Sequence, residues 1–202
     1  MHTKNQVCQP SAFGKPNVSE LAQTWRSRLA RDCPEQSAAN RESIIHWLLG
    51  KDLKRFETQG AIKLETAQQA MYRYQILRQR YLGATPEQAY RQLMTRLSSL
   101  VLRREKISNL IGSSRDRQHQ VLDVLQKVVQ ELIQSDRYIQ QQISSIAECT
   151  DNGIRNALLL ATLEEYCLRP IHNQPLLLYH LINYLHCRVQ EKVTQLSTTG
   201  ME

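Results

Sequence analysis

The chain has 202 residues, of which 22% are charged, with seven glycines, six prolines and a net charge of +7. That length suits one domain able to bury a core without metal or disulfides, and sparse Gly and Pro with apolar residues recurring every three or four positions point to an all-α fold. No run reaches the roughly 18 apolar residues of a membrane span, and Met1 to Pro16 lacks the apolar stretch of a signal peptide, so a cytosolic protein without a membrane partner is expected.

The five cysteines (Cys8, Cys33, Cys149, Cys167, Cys187) are odd in number and contain no Cys-x-x-Cys pair, which predicts reduced thiols packed as small hydrophobes. Residues 1–17 are polar and aperiodic and read as a disordered tail. A helical domain is expected over 18–192, followed by a fraying C-terminus over 193–202.

Ser19 can cap a helix through about Arg31, which Cys33-Pro34 ends. Ala38 to Leu49 is a second helix, stopped by Gly50, and Lys51 to Gln59 adds a basic turn. Ile62 to Leu82 has helical spacing and stops at Gly83. Thr85-Pro86-Glu87-Gln88 then offers an N-cap, a first-turn proline and a capping-box Gln, so a helix is predicted from Pro86 to about Ile111, its seam interrupted by Arg104. Gly112-Ser113-Ser114 would turn this helix back as the antiparallel neighbour (about 86–111) of a long central helix (about 114–149), the element on which the bundle is built. In that helix Leu122, Leu125, Val129, Leu132, Asp136, Ile139, Ile143 and Ile146 form an a/d seam with one polar member. A fold-back near Ser113 places Asp136 beside Tyr90 and Arg91, and a bond to one of them is expected. Ile154 to Leu168 is the next helix. Asn173-Gln174-Pro175 then starts a last one, whose apolar residues from Leu176 to Leu185 cover most of its circumference.

The charge is concentrated. Arg73 to Arg117 holds ten bases (Arg73, Arg78, Arg80, Arg91, Arg96, Arg103, Arg104, Lys106, Arg115, Arg117) against Glu87, Glu105 and Asp116, or +7, and the rest of the chain balances sixteen bases with sixteen acids. Those ten residues are the candidate partner-binding surface, for an acidic protein face or for nucleic acid, and a merely solvated basic face is the competing reading. Tyr72, Tyr74, Tyr81 and Tyr90 are interleaved, but helical spacing turns several of them inward. Gly83 to Leu100 can be read as half of a helix-turn-helix, although its second helix is too long and too apolar for that module.

Signals for chemistry are weak. Cys167, His172, His180, His186 and Cys187 match no familiar zinc spacing, and core packing accounts for them better than metal. A Cys-His nucleophile lacks an orienting group, and there is no Gly-rich phosphate loop. Glu164 and Glu165 are adjacent, hence about 100° apart on a helix, and do not make a cooperating carboxylate pair. The expectation is a protein that is not an enzyme and carries no cofactor or metal.

Ser114-Arg115-Asp116-Arg117-Gln118, Asp123-Val124-Leu125-Gln126, Ser135-Asp136-Arg137-Tyr138 and the run Glu165 to Leu177 resemble a non-enzymatic, all-helical regulatory family of cyanobacteria, over about Thr85 to Leu185. Within that group the likeness is to the proteinaceous inhibitors of the endoribonuclease RNase E, with regulators of filament or heterocyst development as the rival. The resemblance implies an RNA-processing enzyme as partner and carries over no individual binding residue. The resulting expectation is a cytosolic regulator that binds another protein, RNase E for example, through its basic helical surface. The alternative is a nucleic-acid-binding transcriptional or developmental regulator using the same residues.

Overall fold

The computed structural model describes residues 18–50, 64–104 and 117–199. The expected tail (1–17), the basic turn after Gly50, the Gly112-Ser113-Ser114 connection, Lys106 and Arg115 lie outside the described residues. Within them the chain is all-α, with one small two-stranded hairpin.

Helix α1 (Val18–Asp32) is followed by α2 (Ala38–Leu49), which starts where the Ser37 side chain accepts from the Asn40 N–H at 3.1 Å and stops where Gly50 takes φ +74°. Helix α3 (Leu64–Ile76) runs into a π-helical turn, Leu77–Tyr81, closed by the Leu82 N–H on the Leu77 carbonyl at 2.9 Å. Gly83 at φ +80° then frees the chain to turn. Helix α4 (Pro86–Leu102) opens with the capping box read from the sequence: Thr85 accepts from the Gln88 N–H and the Gln88 side chain accepts from the Thr85 N–H. It ends at Leu102, not Ile111, two residues before the Arg104 that interrupted its apolar seam.

The long central helix is not continuous. Helix α5 (Arg117–Ser135) stops, and Asp136 in extended conformation caps a new helix, α6 (Arg137–Ile146), by accepting from the Ile139 N–H at 3.0 Å. Its other carboxylate oxygen accepts from the Tyr166 hydroxyl at 2.6 Å, so the expected bond to Tyr90 or Arg91 is replaced by one to Tyr166. An a/d pattern survives the break because the apolar face on either side turns toward the same core.

The element around which the others pack is α7 (Asn152–Leu168), capped by Asp151. Almost every residue from Ala157 to Cys167 is buried, and α7 touches α2, α3, the π turn, α4, α6 and α8 (α8 being Leu176–Thr199). Helix α4 packs against both α5 and α7. Between α7 and α8, Pro170–Ile171 and Gln174–Pro175 pair antiparallel around His172 and Asn173, both at positive φ. This two-residue hairpin turn stands where a helix start was expected. Helix α8 buries Leu176, Leu177, Leu178 and Leu181 but leaves Tyr179 half exposed, so it presents one face to the core rather than its whole circumference, and its backbone stays helical past Lys192 to Thr199.

Candidate functional site

Burying α7 puts Glu164 and Glu165 inside the protein, at 0% and 5% exposure. A carboxylate in such a place requires charged or hydrogen-bonding partners, and each of the two collects its own set. Glu165 receives the Arg73 Nε at 2.9 Å and the Gln69 amide at 2.8 Å, with Arg169 at 3.6 Å. Arg73 spends its remaining reach on the Trp47 carbonyl at 3.3 Å and the Tyr138 hydroxyl at 2.8 Å. Tyr138 stacks on Tyr166, and the Arg169 guanidinium lies over both rings, 4.7 and 5.2 Å from their centroids.

Glu164 is served from the other side. Arg80 and Arg96 both bond its Oε1, the latter at 2.5 Å, while the Tyr81 hydroxyl donates to Oε2 at 2.5 Å. Arg80 and Tyr81 are sequence neighbours that an α-helix would aim about 100° apart, and both sit in the π turn, a local widening of the kind that re-aims side chains. Burial and the bond to Glu164 push the Tyr81 hydroxyl far above its ordinary value, which keeps it a neutral donor.

The ten bases of the 73–117 stretch therefore do not form one surface. Arg73 is a correction: it is 8% exposed and fully engaged with Glu165, Trp47 and Tyr138, so it belongs to the core and not to a docking face. Arg78 points to Asp32 on α1, at 3.5 Å. Lys106 and Arg115 are outside the described residues, and of Arg117 only the helical backbone is described.

The other five meet. Arg80, Arg91, Arg96, Arg103 and Arg104 line an open cleft of about 940 Å³ along α4, floored by Leu100 and Leu168. Two rows of residues four apart, Arg91-Thr95-Ser99 and Gln92-Arg96-Leu100, run along this side of α4, with Arg103 and Arg104 following just past its last residue, while Ala89, Leu93, Met94, Leu97, Ser98 and Val101 are buried on the other. Among the described residues Arg91, Arg103 and Arg104 have no ion-pair partner, and one buried carboxylate serves both Arg80 and Arg96. Among the described residues the cleft carries a surplus of four positive charges, five guanidiniums against Glu164. Spacing by four along α4 was available in the sequence. The assignment of Arg73 and Arg78 elsewhere was not, because Glu165 and Asp32 lie outside the basic stretch.

A second cleft, about 850 Å³, is bounded by His46, Trp47, Gln69, Arg73, Tyr138, Gln141 and Arg169. Its guanidiniums are committed to Glu165 and to the tyrosine rings. Among the described residues no group of three or more His, Cys, Asp or Glu side chains is placed to hold a metal ion, and no helix is long and apolar enough to cross a membrane. Cys167, buried beside Glu164, has its thiol pushed up to about 12, chiefly by burial, which makes it a poor nucleophile at neutral pH.

Fold and site together define an all-α protein with an arginine-lined cleft on one helix, pinned to a buried carboxylate core. No family model and no curated protein matches the sequence, and no solved structure matches the fold.

Proposed function

We propose that the chain is a non-enzymatic, cytosolic regulator that works by binding an acidic surface of another protein through the α4 cleft. An RNA-processing enzyme such as RNase E is the partner class that the family resemblance implies. The observation that supports this is the cleft itself: five arginines and one buried carboxylate, with three of the guanidiniums lacking any internal counter-charge among the described residues. A surface with that imbalance attracts an anionic partner and fixes its register. Arg91 and Arg103 are exposed and outside the Glu164 network, so reversing them tests binding without disturbing the core.

The experiment is affinity capture from lysate, with and without nuclease, using the full chain and its Arg91→Glu/Arg103→Glu variant. A partner protein that survives nuclease and is lost by the charge-reversed variant, with helical circular dichroism unchanged, is the expected outcome. Capture that disappears on nuclease treatment moves the function to nucleic acid. Capture that the variant retains removes the cleft from the function.

A further inference from the structure

The cleft is more specific than a basic patch, because part of it is preset. Glu164 is fully buried and cannot move toward solvent to follow its arginines, so Arg80 and Arg96 are held to one oxygen of an immobile carboxylate. Their side chains remain 26% and 46% exposed. A guanidinium carries five N–H groups in a planar fork, and the single edge each gives to Glu164 leaves other donors open to the cleft. Two guanidiniums on one carboxylate also leave one positive charge uncompensated, and a second carboxylate arriving from outside completes the pairing. Because the fork is held in advance, little side-chain entropy is lost when that happens.

The rest of the lining describes what accompanies the carboxylate. Arg91 and Arg103 lie about 18 Å apart along the helix at ~1.5 Å per residue, and each step of four is about 6 Å. That is the spacing at which an α-helical segment presents side chains of one face. Leu100 and Leu168 are half-buried in the floor and offer an aliphatic contact between the charged positions. No aromatic ring lines the cleft among the described residues: Tyr81 is buried on Glu164, and the exposed Tyr72 and Tyr90 are not in the lining. Single-stranded nucleic acid relies on such rings for base stacking, so the lining favours protein.

The occupant is not part of this chain's own remainder. Residues 1–17 carry two bases and no acids, 51–63 four bases against two acids, and 105–116 two of each, so none of these three supplies net negative charge, and 200–202 is a tripeptide with the single acid Glu202, too short to supply a row of carboxylates.

We infer that the cleft takes an acidic, leucine-type helical segment of a partner protein, one carboxylate seated on the Arg80–Arg96 fork and an aliphatic side chain on Leu100 and Leu168. This rests on the protein-binding reading above and adds the chemistry of the epitope. Arg91, Arg103 and Arg104 take further carboxylates at the rim, and the volume limits the seated part to a few side chains.

The test is fluorescence anisotropy of the full chain with labelled peptides of about 15 residues, long enough to be helical, carrying Glu at every fourth position with Leu between. Controls replace every Glu by Gln, or every Leu by Ala, and a labelled oligouridylate of equal charge is titrated at the same salt. The Glu-Leu peptide is expected to bind, both controls to bind at least about ten-fold more weakly, and the oligouridylate to bind more weakly than the peptide. Arg96→Lys keeps the charge beside Glu164 but removes the fork, and is expected to lower affinity about ten-fold while helical circular dichroism is kept. Leu100→Ser is expected to weaken the Glu-Leu peptide and leave the Ala-control peptide unaffected. Equal binding of the Glu-Leu and Ala-control peptides, an Arg96→Lys protein that binds normally, or tighter binding of the oligouridylate overturns the inference. If the Arg91→Glu/Arg103→Glu variant loses its nuclease-resistant partner while no Glu-Leu peptide binds, the inference falls and the protein-binding reading stands. If that variant keeps the partner, both fall.

Discussion

Removing the Glu165 carboxylate strands a buried cation, and the cost can be worked from its surroundings. Arg73, 8% exposed in the native protein, is left in Glu165→Ala with the Trp47 carbonyl, the Tyr138 hydroxyl and the face of the Trp47 ring, and with no carboxylate to meet its charge. A guanidinium keeps its charge on burial, so the loss cannot be relieved by releasing a proton. Breaking one partner of a buried pair costs about 3–5 kcal/mol, against the roughly 5–15 kcal/mol that holds a domain together. At ~2–4 °C per kcal/mol for a chain of this size, the melting temperature should drop by roughly 6–20 °C. Equilibrium urea unfolding followed by circular dichroism measures it, with an unchanged slope showing that stability rather than compactness has altered. The double variant Arg73→Met/Glu165→Leu removes both buried charges and is expected to recover much of the loss, because the one cation then without its carboxylate, Arg169, is 37% exposed and still lies over the Tyr138 and Tyr166 rings. The surface pair Arg26–Glu42 is the control. It is bidentate at 2.7 and 3.1 Å but 47% and 45% exposed, so Arg26→Ala should leave the urea midpoint within experimental scatter. A Glu165→Ala cost below about 1 kcal/mol, or a double variant no better than either single, refutes the reasoning.

Three further outcomes are expected. Asp136→Ala loses both the α6 cap and the Tyr166 bond and should cost about 1–2 kcal/mol in the same urea assay, with Asp136→Asn recovering the cap share; equal stability of all three proteins counts against the break at Asp136. The Tyr74 hydroxyl, followed by Arg31, holds the Asp32 carboxyl below the usual carboxylate range, so its contribution is complete above the unfolded value near ~3.9 and disappears as pH falls through the lower folded value. Asp32→Asn should therefore flatten the acid limb of stability below about pH 4, and an unaltered limb argues against the Tyr74 bond. Thiol labelling of the native protein at pH 8 should mark exposed Cys187 and spare buried Cys33, Cys149 and Cys167, as read by peptide mass mapping; fast labelling of Cys167 contradicts its burial.

Local signals were legible in the sequence and distant ones were not. Thr85, Pro86 and Gln88 mark the start of α4 because a capping box is satisfied within four residues, whatever the rest of the chain does. The stop at Asp136 was concealed by its neighbours: the seam from Leu122 to Ile146 keeps its spacing across the cap, and periodicity alone does not distinguish a capping Asp from a polar seam residue. The central role of α7 was hidden because Glu164 and Glu165, read only as two carboxylates too far apart on the helix to cooperate, are met by Arg73, Arg80, Tyr81 and Arg96, all more than sixty residues away in sequence. The candidate cleft was half legible. The excess of charge identified the region, but the sorting of its arginines into core, α1 contact and cleft depends on acids elsewhere in the chain.

The two sides of α4 answer to different constraints. Positions 89, 93, 94, 97, 98 and 101 are fitted to the interior, where a change of one methylene is felt. Positions 91, 92, 95, 99, 103 and 104 are exposed and outside the buried carboxylate network, so substitutions there leave packing alone and alter only what the helix meets. Arg96 joins the two sets through Glu164. A lineage can thus exchange one partner for another by drift along the outer rows while the fold is inherited unchanged, with Arg96 the position at which a new specificity also has to be a stable protein.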